Sequence, residues 1–170
     1  VVVDSLSKRF SLCGARIGCL LTCNEEMLAA TLKIAQARLA APTIDQFAAA
    51  HMLECIQDDY LERVRLEFQS RRDVLYSALK QIPDVVMHKP EGAFYAMVQL
   101  PVNNAETFAA YLLSEFSLNM RTTFVAPAAG FYMQHSQGIQ KARVAYVLNK
   151  NDIEMAIEAL AAGLEQYKKR

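Results

Sequence analysis

The stretch SLSKRFSLCGARIG, residues 5–18, sets a single lysine among serines and follows it with an arginine that has a glycine on each side, two residues away. A phosphate dianion is best held by a planar guanidinium fork together with neutral donors such as hydroxyls and backbone amides. Ser5, Ser7 and Arg16 are residues of those types, and Gly14 and Gly18 permit close backbone approach or positive φ around the arginine. Lys8 adds a different capacity, because a desolvated amine is a nucleophile able to form a Schiff base with a carbonyl compound. The bland alternative is a solvated turn with scattered basic residues, and residue types alone leave both readings open.

The surrounding elements decide what such a segment is mounted on. Val1 to Asp4 reads as a buried strand ending in the lysine loop, and Ala15 to Thr22 as a second strand returning beside it. Asn24 is expected to cap a helix with Leu28, Leu32, Ala35 and Leu39 on one face. Pro42 breaks it, and Thr43-x-x-Gln46 has capping-box spacing for the next helix. A long charged helix is expected from Asp59 to Lys80, with a stripe of Tyr60, Val64, Phe68, Leu75 and Leu79. Its length suits a strut between two lobes, and Arg63, Arg65, Arg71 and Arg72 read as its solvated side. Beyond Pro83 come a strand at Gly92–Leu100, a helix at Ala105–Phe116, strands at Thr123–Ala126 and Lys141–Leu148, and a last helix capped by Asn151 with Glu154. That order predicts a small α+β lobe.

Composition narrows the function classes. Lys+Arg and Asp+Glu are 18 each, so no electrostatic footprint for nucleic acid or an anionic membrane surface is present. No apolar run reaches the length of a membrane span. Cys13, Cys19, Cys23 and Cys55 form no C-x-x-C pair and have no histidine spaced to join them, so they read as free thiols of a reducing cytoplasm rather than metal ligands. His51, His88 and His135 show no spacing to a carboxylate and nucleophile that would make a catalytic set. The chain opens on Val1-Val2-Val3, a strand already under way, which predicts that further sequence precedes it.

S-x-S-K followed by G-x-R-x-G resembles the cofactor-lysine signature of the class I/II aminotransferases, pyridoxal-phosphate enzymes of fold type I. KPEGAFY resembles a strand of that family's small domain, KARVAY its arginine strand near the carboxy terminus, and FVAPAAGFY its proline-glycine-x-x-phenylalanine loop. The resemblance covers essentially the whole chain in the family's order. It departs at Ala128, where the family has glycine, which puts the turn after Pro127 in question, and at Arg38, whose surroundings do not match the arginine that aspartate-specific members supply to a neighbouring subunit.

The resemblance implies an α/β chain. Residues 1–55 would be the end of a fold type I large domain with the Schiff-base lysine, and residues 56–170 the interdomain helix and a small α+β domain. It implies Lys8 as the catalytic lysine, Ser5, Ser7 and Arg16 with Lys8 as cofactor-binding residues, and Arg143 as the clamp for the substrate α-carboxylate. The implied cofactor is pyridoxal 5'-phosphate, the substrates an α-amino acid and a 2-oxo acid, and the assembly a cytoplasmic homodimer. The family builds much of its cofactor site upstream of the lysine, so these 170 residues alone are expected to be inactive. For the same reason the first fifty or so residues are expected to associate with another copy or to be loosely ordered. A carbon–sulfur lyase of the same fold, and a non-catalytic binding or dimerisation module, are the alternatives.

Overall fold

A computed structural model describes residues 1–170, which divide into two compact units, Val1–Arg63 and Val64–Arg170.

In the first unit, β1 (Val2–Ser5) runs into α1 (Leu6–Arg9), and after a 3-10 turn at Cys13–Ala15 the chain returns as β2 (Gly18–Leu21). The two strands pair antiparallel with Val3 opposite Leu20 and Ser5 opposite Gly18. Gly18 is needed there because a Cβ would sit 2.8 Å from the Asp4 carbonyl oxygen. Asn24 caps α2 (Glu25–Ala37) by accepting from the Met27 N–H at 2.9 Å, as its position predicts. Arg38 is the exposed C-cap of that helix. In α3 (Thr43–Cys55) the N-cap is Pro42 rather than Thr43, and Gln46 Nε2 donates to the Ala41 carbonyl at 2.7 Å, so the expected capping box does not form.

The expected burial of β1 is not found. Val2 and Val3 are 58% and 76% exposed, because the two-stranded ribbon has no further sheet layer to cover it within its unit. Ala49 is the one buried hydrophobic residue of the first unit, whereas Leu28, Leu32, Ile34, Ile44 and Phe47 all lie exposed.

The second unit takes in most of α4 (Tyr60–Leu79), then β3 (Val86–Met87), β4 (Tyr95–Gln99), α5 (Ala105–Ser114), β5 (Ala126–Pro127), β6 (Lys141–Ala145) and α6 (Lys150–Tyr167). Its four strands form an antiparallel sheet in the order β3-β4-β6-β5. One face of the sheet presents Ala96, Val98, Ala142 and Val144, which join Leu75 and Leu79 of α4, Phe108 and Leu112 of α5, and Ile153, Ile157, Leu160 and Leu164 of α6 in a single core. Burying such a side chain contributes roughly 1.5–3 kcal/mol, so this layer of helices gives the sheet one rigid, covered face. The opposite face holds the alternate residues of the same strands. Asn149, not Asn151, caps α6 by accepting from the Asp152 N–H at 3.0 Å. No helix is long and apolar enough to cross a membrane.

Candidate functional site

The lysine segment is not a loop. Lys8 lies on α1, a single turn whose N-cap is Ser5, with extended backbone at φ −148°. Ser5 Oγ accepts from the Ser7 N–H at 3.1 Å and lies 2.9 Å from Ser7 Oγ and 3.4 Å from the Ile17 carbonyl. Two hydroxyls are thereby gathered at the point where β1 ends, beside the returning strand. Arg9 is committed to Asp4 at 3.0 Å, which separates the roles of two adjacent cations. Lys8 itself is exposed.

Arg16 closes the same segment. The left-handed conformation expected of a glycine belongs to the arginine itself, at φ 55°, and to Ser11 at φ 56°, while no glycine has positive φ. Arg16 Nη1 donates to the Cys13 carbonyl at 2.9 Å. A guanidinium has five N–H donors, so Arg16, which is exposed, keeps donors beyond the one given to Cys13. Two hydroxyls, a guanidinium and a primary amine on one short hairpin form a donor set whose chemistry fits a phosphorylated aldehyde: Ser5, Ser7 and Arg16 for the phosphate, Lys8 for the carbonyl carbon.

Arg143 belongs to the second unit. On β6 it stands opposite Met97 of β4 and Ala126 of β5, on the sheet face away from the core. Its guanidinium carbon is 4.4 Å from the Tyr95 ring centre and 4.8 Å from that of Phe131. Two aromatic faces hold the cation in place, and no acidic side chain of the chain pairs with it. Such a half-buried, pre-oriented fork is suited to a carboxylate from outside the chain.

The loop carrying Phe131 tolerates the alanine that replaces the family's glycine. Ala128 is fully buried at φ −102°, donates its N–H to the Lys141 carbonyl at 2.9 Å and accepts from the Phe131 N–H at 3.0 Å. The glycine requirement lies at Gly138, where a Cβ would meet the Ala128 carbonyl oxygen at 2.6 Å and the Tyr132 ring at 2.7 Å. Gly138→Ala is expected to destabilise the fold by about 1–3 kcal/mol in urea unfolding. Because the loop must shift, the Arg143 side-chain NMR signals should also lose the ring-current shift due to Phe131.

Tyr146 ties the two motif strands together. Its hydroxyl, 1% exposed as a residue, donates toward the Ala93 and Gly92 carbonyls at 3.0 and 3.3 Å, and burial pushes its pKa up. Arg71 and Arg72 are not merely solvated, contrary to their reading as a water-facing charge run. Arg71 donates to the Val147 carbonyl at 2.6 Å and Arg72 to that of Pro90 at 3.2 Å, so α4 anchors both segments flanking the Arg143 face. The Lys89 ammonium, chiefly, holds the Asp73 carboxyl below the usual carboxylate range; burial pushes the other way, and Arg72 adds to the lowering. The aromatic clamp and these anchors have no short-range signal in the sequence. The cysteines are exposed free thiols, and the three histidines are exposed.

Residues 1–166 match the family described as "Aminotransferase class I and II". The aspartate aminotransferase of Bacillus sp. (strain YM-2) is 30% identical over 168 residues, covering 94% of this chain and 40% of that protein. A probable aspartate/prephenate aminotransferase of Rickettsia felis is 28% identical over 166 residues, covering 91% of this chain and 38% of that protein. Among solved structures, the α-aminoadipate aminotransferase of Thermus thermophilus, complexed with N-(5'-phosphopyridoxyl)-L-leucine, aligns with a TM-score of 0.82 at 22% identity, over 96% of this chain and 41% of that one. The aspartate aminotransferase of Rhizobium meliloti aligns with a TM-score of 0.76 at 26% identity, over 96% and 41%. The first of these structural likenesses establishes the fold alone, α/β of pyridoxal-phosphate fold type I. The chain spans about 40% of the length of the curated relatives it matches. A family match running from the first residue into the last turn of α6 leaves one assignment: this chain belongs to the class I and II aminotransferases.

Proposed function

We propose that these residues form the carboxy-terminal portion of an aminotransferase that moves an amino group between an α-amino acid and a 2-oxo acid. The observation that carries the reading is Arg143, a cation gripped by Tyr95 and Phe131 with no anionic partner of its own. An α-carboxylate is the one group that an amino acid and its oxo acid share throughout such a reaction, and a fixed bidentate fork serves both. The names of the Bacillus and Rickettsia relatives support that substrate class, and the phosphopyridoxyl ligand of the Thermus protein supports pyridoxal 5'-phosphate as cofactor.

Ser5, Ser7 and Arg16 would hold the cofactor phosphate, and Lys8 its aldehyde carbon. When bound, the cofactor supplies an electron-accepting ring that stabilises negative charge at the substrate Cα. Once the substrate amino group has displaced it from the aldehyde carbon, the Lys8 amine would be free to take up the proton from that Cα and to deliver it on the cofactor side. Arg143 holds the substrate by its carboxylate, which limits the orientations open to the Cα–H bond. Residues 1–55 are assigned to the cofactor-binding large domain, and 56–170 to the interdomain helix and small domain. The exposed apolar side chains of the first unit support a homodimer, and the exposed thiols support a cytoplasmic setting. Residues 1–170 alone are expected to show no turnover.

The test is amino transfer by the holoenzyme, followed with its near-ultraviolet and visible absorbance. The cofactor band should shift on adding amino acid and return on adding 2-oxo acid. Release of pyruvate and thiol without amino transfer would replace this reading with the lyase, and absence of any cofactor band would remove both.

A further inference from the structure

The helix that carries Lys8 is too short to hold itself. A first helical turn fixes several backbone angles in exchange for one hydrogen bond, so an isolated turn is unfavourable. In α1 that bond runs from the Phe10 N–H to the Leu6 carbonyl at 3.2 Å. The neighbouring segments supply the rest. The Leu6 N–H donates to the Ile17 carbonyl at 3.2 Å, and the ring of Phe10, the C-cap, stacks on Tyr60 with centroids 6.0 Å apart and planes 17° from parallel.

Asp4 spans the turn itself. Its Oδ1 accepts from the Ser5 N–H, where the chain enters α1, at 2.7 Å, and its Oδ2 pairs with the guanidinium of Arg9, the last residue of α1, at 3.0 Å. One partly buried carboxylate therefore ties together both ends of the turn, with Lys8 between them. Such an exposed ion pair adds little to the stability of a fold. Its effect on a reacting atom can be far larger, because a misplacement of about 1 Å can cost about 100-fold in rate.

We infer that Asp4 is a positioning residue for Lys8: by bracing the Ser5 amide against the Arg9 guanidinium, it fixes the direction in which α1 presents the amine. The inference rests on the reading of Lys8 as the lysine that meets the cofactor aldehyde. A purely electrostatic role is distinguishable. Removing the anion and removing the cation would have opposite effects on a neighbouring ammonium, whereas a brace is lost in the same sense from either end.

The test uses the full-length enzyme freed of its cofactor. It is mixed with pyridoxal 5'-phosphate and reduced with borohydride at intervals, and the label on each lysine-bearing peptide is followed by mass spectrometry. Asp4→Ala should slow labelling at Lys8 about tenfold, while the other lysines and the urea unfolding midpoint stay as in the unaltered enzyme. Arg9→Gln should slow it about threefold, in the same direction. Asp4→Asn, which keeps an acceptor for the Ser5 N–H, should recover to the Arg9→Gln level. Amide exchange across residues 5–10, measured without cofactor, should quicken in Asp4→Ala. An unchanged Lys8 rate in Asp4→Ala, or opposite effects of Asp4→Ala and Arg9→Gln, would overturn the role of Asp4. So would a loss seen with pyridoxal 5'-phosphate and absent with pyridoxal, which has no phosphate for Ser5 to hold. An unaltered enzyme that takes no label at Lys8 would instead sink the reading of Lys8 beneath it.

Discussion

Lys8→Ala is expected to lower amino transfer by the holoenzyme by about 10²–10⁴-fold, the range for removing a positioned proton-transfer group, and to abolish the covalent link to the cofactor. Ser5, Ser7 and Arg16 are untouched by the change, so the proposed phosphate donors on the hairpin remain and the cofactor should still bind noncovalently. Lys8→Arg separates amine from charge. A guanidinium is always protonated and is no nucleophile near neutral pH, so it should be as inactive as alanine. Activity retained by Lys8→Arg would mean that position 8 supplies only positive charge, and the assignment of a nucleophile there would fall.

Arg143→Lys is expected to reduce kcat/KM by about 30–100-fold, or roughly 2–3 kcal/mol, the lower part of the cost of breaking a desolvated charge contact. The lysine keeps the charge but loses both the fork and the flat stacking between Tyr95 and Phe131. Since the α-carboxylate is common to both half-reactions, the loss should be similar for the amino acid and for the oxo acid. Kinetics in which only one of the two substrates is affected would place the carboxylate elsewhere.

The helices were readable from sequence because each depends on local signals. Asn24 in front of an apolar stripe is enough to start α2, and the pattern from Tyr60 to Leu79 is enough to draw α4. Ends were harder where two candidates compete, as with Asn149 and Asn151 before α6. The strands came out shorter than their apolar runs. β4 starts only at Tyr95, because Ala93 turns to φ 57° and the Gly92 and Ala93 carbonyls face the Tyr146 hydroxyl. The run at Thr123–Ala126 pairs only at Ala126–Pro127, on the edge strand, where a proline costs no ladder bond.

The hairpin residues were visible because they are close in the chain, although the helical turn bearing Lys8 and the positive φ of Arg16 were not. The clamp on Arg143 could not be seen, since Tyr95 and Phe131 reach it only through the β4–β6 pairing and the buried turn at Ala128. Arg71 and Arg72 misled for the same reason. A charge run on a helix looks solvated until the carbonyls of Val147 and Pro90 are brought beside it.

The central claim is that Lys8 carries the cofactor. It is tested most directly by reducing the holoenzyme with borohydride, digesting it and mapping the modified peptide by mass spectrometry. The expected result is a phosphopyridoxyl group on Lys8, in the peptide that follows β1. The same group on any other lysine, or no modified peptide from a holoenzyme that retains its cofactor band, would contradict it.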